Sequence, residues 1–182
     1  ENSYPSGFAG GHVPAEMPES YNQGQGLVIH RADFIPQPLD KEYAVILKKE
    51  ESGFIDITKS TEIEAGKKGD YYLFEKAFYG KSPWYGGFSY VDLLHDGVTE
   101  KFIELTMQGY KQKDGDEFGR TVRGVFTDEP NIAPPAKECI RWTPELFRMF
   151  RERWSYDLAV NLPSLFDETG DWKRVRHDYY AL

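Results

Sequence analysis

Apolar and polar positions change rhythm twice along the chain. Residues 1 to 26 show little periodicity and carry Gly7, Gly10, Gly11, Gly24, Gly26 and three prolines, which reads as loop. A structureless stretch of roughly 20 residues in a compact domain is usually functional or disordered. Tyr4, Phe8, His12, Tyr21 and Asn22 suit an active-site-type loop better than a linker. From 27 to 80 the signal is β. Tyr43 to Lys48 and Phe54 to Thr58 read as strands joined by Glu51-Ser52-Gly53, a hairpin by spacing and turn chemistry, and Tyr71 to Tyr79 is a third, aromatic run. Lys and Glu interleaved among them predict strands with one wet face, a small antiparallel layer.

From 81 to 182 helices and strand alternate. Asp96 can cap a helix whose stripe is Val98, Phe102, Ile103, Leu105 and Tyr110. The polar loop Asp114-Gly115-Asp116 follows, then a short apolar strand, Thr121 to Phe126, that runs into Thr127-Asp128-Glu129-Pro130. Thr143 and Pro144 start a second helix with Leu146, Phe147, Phe150 and Trp154 inward. A third covers Leu158 to Phe166 with Pro163 interrupting it, and Asp171 opens a fourth with Trp172, Val175 and Tyr179 inward. Helix, strand, helix is α/β texture. The expected organisation is one domain in three stretches: a loop region (1–26), a β-rich insertion (27–80) and an α/β segment (81–182). The chain opens at Glu1 without Met or an apolar signal and closes at Leu182 inside a helical pattern, which reads as a segment cut from something longer.

Charge narrows the function classes. With 22 Lys plus Arg against 30 Asp plus Glu, the net charge is −8 and no basic run stands out, which argues against nucleic acid. Nothing approaches an apolar run of about 18 residues, so no membrane span is expected. One cysteine, Cys139, rules out an intrachain disulfide. An acidic, aromatic-rich chain suits a neutral polar partner such as a carbohydrate.

The sharpest chemical feature is the acid pair at the end of the predicted strand. In parallel α/β folds functional side chains collect where strands end. A carboxylate partly buried there can hold a proton for a leaving group. Sequence grammar alone also allows Asp128 to cap the next turn and Glu129 to be solvated. Asp92 stands equally as a mouth residue or as a loop acid bonded to nearby amides. Trp84, Tyr85 and Tyr90 lie in or beside the Gly-flanked loop Lys81 to Gly87, where aromatic faces can stack on sugar rings or pack inward. Trp142, just before a helix, can do either. His12, His30, His95 and His177 lack paired ligand spacing, so no metal site is expected. No serine sits in a G-x-S-x-G elbow, and the early glycines do not make a nucleotide cradle.

Several motifs in order resemble a known family. They are Asn2 to Gly11, Tyr90-Val91-Asp92-Leu93-Leu94 leading into a helix, Val125 to Pro130, Phe147-Arg148 through Tyr156-Asp157-Leu158, the Leu162-Pro163-x-Leu165-Phe166 tail, and Trp172 to Tyr180. Together they resemble the catalytic barrel of glycoside hydrolases of the α-L-rhamnosidase type, family 106. The resemblance implies a partial (β/α)8 TIM-barrel segment with a small antiparallel β insertion. It implies Glu129 as catalytic acid or base and Asp128 beside it positioning it or touching substrate. It also implies Glu1 and Asn2 at the end of an earlier strand, and Tyr90 and Asp92 lining the same mouth. The implied substrate is a plant or host glycan, α-L-rhamnosides among them. No cofactor is expected beyond a calcium ion on family grounds alone, and export to the periplasm or outside the cell follows on the same grounds. Glycoside hydrolysis needs two carboxylates across the scissile bond, and the resemblance puts the partner acid on a later strand, past Leu182. The segment alone is therefore expected to be inactive, and a partial barrel with open strand edges to self-associate. A carbohydrate-binding or structural protein without catalysis is the alternative.

Overall fold

The computed structural model describes residues 12–21, 26–126 and 133–182, with backbone alone at Tyr21 and Trp84. The chain divides into two compact units, Glu1–Gln23 with Phe78–Ala133 and Gly24–Ala77 with Pro134–Leu182.

The second unit is organised by one sheet of five strands: β1 (Gly26–Ala32), β2 (Tyr43–Glu50), β3 (Gly53–Asp56), β4 (Tyr71–Ala77) and β5 (Cys139–Arg141), in the order β3-β2-β4-β1-β5. Every pairing is antiparallel. β2 and β3 form the hairpin, with Gly53 at φ 132°, a conformation open to glycine alone. β4 is flanked on both sides and buries four consecutive residues, Tyr71, Tyr72, Leu73 and Phe74. Alternation then assigns them to two faces. Tyr72 and Phe74 join Leu27, Ile29, Val45 and Leu47 in a core shared with Trp142, Leu146, Phe150, Leu158, Leu162 and Val175. Tyr71 and Leu73 join Ile46, Ile35 and Ile57.

The helices Leu146–Trp154 and Trp172–Tyr180 supply much of the layer against the first of these cores. Leu146 and Phe150 are fully packed, with Phe147 and Trp154 partly buried beside them. The first helix begins two residues beyond Pro144, because Thr143 and Pro144 make a preceding turn in which Leu146 N–H donates to the Thr143 carbonyl at 3.0 Å. Arg31 of β1 reaches Asp167 through Nε at 3.2 Å and a terminal nitrogen at 2.7 Å. Tyr179 donates to the Arg141 carbonyl at 2.6 Å, tying the last helix to β5. Asp178, 5% exposed, accepts from Tyr156 at 3.0 Å and lies 3.0 Å from His177 Nδ1 and 3.4 Å from Arg174.

These observations overturn the barrel expectation. The protein is a mixed α/β chain dominated by an antiparallel five-stranded sheet, not a (β/α)8 TIM-barrel segment. The antiparallel layer expected as an insertion is itself the organising sheet of its unit. The strand expected at Thr121 to Phe126 does not form: Val122 makes one isolated bridge to Phe118, and residues 123–126 have no regular structure. Val125 and Phe126 are 74% and 87% exposed, the reverse of a buried barrel strand. A short apolar run carries no statement about its partner, and Arg123-Gly124 breaks this one in the middle.

The first unit has short helices at His12–Glu16 and Pro18–Tyr21, a 3₁₀ turn at Pro83–Tyr85 and a helix over residues 98–114. Its core is Val13, Tyr90, Val91 and Val98. The longer helix is entered through Gly97 at φ 84°, so a left-handed glycine, rather than the Asp96 side chain, makes the entry. It runs as α from Val98 to Ile103, as a π turn over Glu104–Gln108 and as α again over Gly109–Asp114.

Candidate functional site

Residues 98–126 of the first unit line an open pocket of about 670 Å³. One side comes from the helix, through Phe102, Thr106, Met107, Tyr110 and Asp114; the other comes from Phe118 and the irregular stretch Val122 to Phe126. The π turn explains the first side. A four-residue step overshoots one α-helical turn by about 40°, so positions 102, 106, 110 and 114 would drift round a regular helix. The wider π turn reverses part of that drift and keeps the four positions on one wall. Thr106, 3% exposed, donates its hydroxyl to the Phe102 carbonyl at 2.6 Å within that turn.

The second side is a loop closed on itself. Gly119 N–H donates to the Val122 carbonyl at 2.9 Å, Val122 N–H to the Glu117 carbonyl at 3.0 Å, and the Thr121 hydroxyl to Glu117 at 2.6 Å. Gly119 sits at φ 81°, where a Cβ would strain the turn. The lining is mostly apolar and aromatic, with Asp114 and Arg123 as its charged members. Tyr110, Phe118, Val125 and Phe126 are 52%, 44%, 74% and 87% exposed, a concentration of apolar surface facing solvent. A volume of this size lies inside the range of small-molecule sites, about 300–1,000 Å³.

The residues expected from sequence fall in several places. Glu129, Asp128, Glu1 and Asn2 lie outside the described residues, as does the side chain of Trp84. Tyr90 is 3% exposed and packs edge-on against Tyr79 and Tyr85, with centroids at 6.0 and 5.4 Å. Asp92, 3% exposed, accepts from the Leu94 N–H at 3.0 Å, the backbone-bonded arrangement of a loop acid. Its own N–H donates to the Ser20 carbonyl at 3.1 Å. Tyr85, Tyr90 and Asp92 are thus gathered in one neighbourhood, with Tyr90 and Asp92 inside it. Trp142 belongs to the other unit. It is 4% exposed, rests against Phe147 at 5.9 Å and carries the Lys76 ammonium over its ring, while its indole N–H has no partner among the described residues.

Asp114 is a pocket residue that the sequence presented only as part of a polar loop. Its four-residue spacing from Phe102, Thr106 and Tyr110 was the available signal. Elsewhere, His30 and Lys41 hold Glu75 at 2.6 and 2.8 Å. Burial pulls the Glu75 carboxyl upward, but the bonds from Lys41 and His30 outweigh it and leave the group below its ordinary value. Burial pushes the Cys139 thiol up to about 11, which makes it a poor nucleophile at neutral pH. No group of three His, Cys, Asp or Glu among the described residues could hold a metal ion. No helix among them is long and apolar enough to cross a membrane.

Three comparisons with known proteins return no match: no family model, no curated protein and no solved structure aligns with this chain.

Proposed function

We propose that the chain carries the acid/base carboxylate, Glu129, of a glycoside hydrolase acting on plant or host glycans, with α-L-rhamnosides among its candidate substrates. The observation that supports it most is the pocket of about 670 Å³ whose wall ends at Phe126, immediately before Thr127-Asp128-Glu129-Pro130 in the sequence. Glu129 is three residues beyond Phe126, and three residues of extended chain span at most about 10 Å. In the proposed role the Glu129 carboxyl is the general acid, holding a proton for the leaving group. Such an acid gives its proton to the glycosidic oxygen as the bond to the anomeric carbon breaks. Exposed aromatic faces at Tyr110, Phe118 and Phe126 offer stacking surface for the C–H face of a sugar ring.

The test is Glu129→Gln in the full-length natural protein, assayed on oligosaccharides and alkyl glycosides with terminal hexose or 6-deoxyhexose residues. Loss of turnover by about 10²–10⁴-fold, with the far-UV circular dichroism unchanged, is the expected result. Unchanged turnover removes the assignment. The same exposed aromatic faces also favour a second reading, a carbohydrate-binding protein without catalysis. Saturable sugar binding without hydrolysis by the full-length protein would select that one.

A further inference from the structure

We propose that Glu75 is a pH-sensitive clasp: when His30 takes up a proton it displaces Lys41 from a shared carboxylate oxygen and frees the middle of the strap joining β1 to β2. That strap, residues 33–42, has no regular structure, and Ile35 is its one buried side chain. Both ends are pinned. The Asp33 carbonyl accepts from the Gly69 N–H at 2.8 Å, and Ile35 packs with Ile46 and Tyr71. The Glu42 carbonyl accepts from the Lys76 N–H at 2.9 Å, and the Glu42 carboxylate pairs with the Lys76 ammonium. Between these anchors, among the described residues, one strap side chain bonds to the sheet: Lys41, whose ammonium donates to Glu75 Oε2 at 2.8 Å.

That oxygen is shared. His30 Nε2 lies 2.6 Å from it. An ionised carboxylate only accepts, so neutral His30 carries its proton on Nε2 and takes up the next one on Nδ1. A histidine changes charge between about pH 5 and pH 8. At the alkaline end of that window Glu75 faces one cation, Lys41. At the acid end it faces two, both within 2.8 Å of a single oxygen and close enough to repel each other. Lys41 is the partner that yields. His30 is fixed in β1 between β4 and β5 and makes the shorter bond, whereas Lys41 stands on the exposed strap with its side chain 42% exposed.

The other groups around the pair hold their charge state or their partners. Burial works against the charged form of Glu75, yet the bonds from Lys41 and His30 leave its carboxyl below its ordinary value, so it stays ionised across the window. Tyr43, opposite Glu75 on β2, is pushed up by burial and stays neutral; the charge of Asp40 on the strap adds to that. On the β5 side, Cys139 pairs with Val28, and burial pushes its thiol up to about 11. Arg31 is held by Asp167 at 2.7 Å and lies 3.7 Å from Glu138. His30 is therefore the group whose titration alters the clasp.

NMR of the full chain between about pH 8 and about pH 5 tests this. The His30 ring protons give its titration, the Glu75 carboxyl carbon reports the charge beside it, and carbon relaxation at Lys41 Cε measures the freedom of that side chain. On acidification the Lys41–Glu75 contact should lose occupancy about two- to fivefold, the scale of one exposed ion pair, with the midpoint of the His30 titration. His30→Gln should remove the step and leave Lys41 restrained at every pH. Glu75→Gln should leave Lys41 free at every pH. The inference is overturned if Lys41 is equally restrained at both ends of the range while His30 titrates, or if the step survives in His30→Gln. The first of these outcomes is read on the unsubstituted chain and needs neither variant to fold.

Discussion

Replacing Phe150 by Ala and, separately, Phe126 by Ala separates this fold from the barrel that the motifs suggest. Phe150 is fully buried between the sheet and its helical layer, with the Tyr156 ring edge-on at 4.9 Å and 87°. Truncating such a phenylalanine costs about 3–5 kcal/mol in lost transfer energy and residual cavity. For a chain of this size one kcal/mol moves Tm by about 2–4 °C, so Phe150→Ala should lower it by roughly 6–20 °C. Phe126 is 87% exposed, and an exposed truncation changes stability by no more than about 0.5 kcal/mol. The assay is urea unfolding followed by tryptophan fluorescence and by far-UV circular dichroism. Trp142, Trp154 and Trp172 all lie in the sheet-containing unit, so fluorescence reports mainly its transition. A loss below 1 kcal/mol for Phe150→Ala, or above 2 kcal/mol for Phe126→Ala, would refute the reasoning, since the second is what a buried strand at Thr121 to Phe126 demands.

Other consequences are open to measurement. Burial raises the Asp178 carboxyl, but the bonds from His177 and Tyr156 and the Arg174 charge outweigh that and leave it below its ordinary value. Its stabilisation is therefore complete above the ordinary carboxylate range and disappears as pH falls through the lowered value. Asp178→Asn should cost about 1–3 kcal/mol near pH 7 and flatten the acid limb of the stability curve; an unchanged acid limb contradicts this. Burial and the bond to Asp178 push the Tyr156 phenol up to about 12, so its stabilisation is full below about pH 10 and is lost as pH rises toward 12. Tyr156→Phe should remove that alkaline step in a stability-versus-pH series. Cys139, raised to about 11, should alkylate at pH 8 on the order of 10²-fold more slowly than a free thiol, and a normal rate would place it in solvent. Gly26→Ala would put a Cβ 2.6 Å from both the Cys139 sulfur and the Ile140 carbonyl oxygen and 2.9 Å from Pro135, so a loss of about 1–3 kcal/mol is expected on denaturation.

Local structure was legible where one stretch of chain contains its own explanation. The Glu51-Ser52-Gly53 turn, the aromatic run from Tyr71 and the stripes Leu146, Phe150 and Val175 each predict the element found, to within a few residues. Pairing was not legible, because no residue of β4 names β1 and β2 as its neighbours. The antiparallel core therefore looked like an insertion, while Val122, Val125 and Phe126 looked like a barrel strand. β5 leaves no signal in the sequence because three residues, Cys139 to Arg141, are too few for a period to show. The π turn is not legible for a related reason: the spacing predicts a regular helix with Ile103 in its apolar stripe, yet Ile103 is 44% exposed and Thr106 is buried. The acid pair before Pro130 lies outside the described residues, and the pocket was not legible in the sequence, because its walls come from a helix and a loop that only folding juxtaposes. For Tyr90 and Asp92 the sequence left two placements open, and the structure has both buried.

The most direct test of the glycan reading is a heteronuclear NMR titration of the full-length protein carrying Glu129→Gln with a non-hydrolysed oligosaccharide. Saturable shifts concentrated at the amides of Thr106, Met107, Tyr110, Asp114 and Val122 to Phe126 are the predicted result. Saturable shifts centred on Trp142 or on the His30–Glu75 pair, with residues 102–126 unmoved, would contradict it.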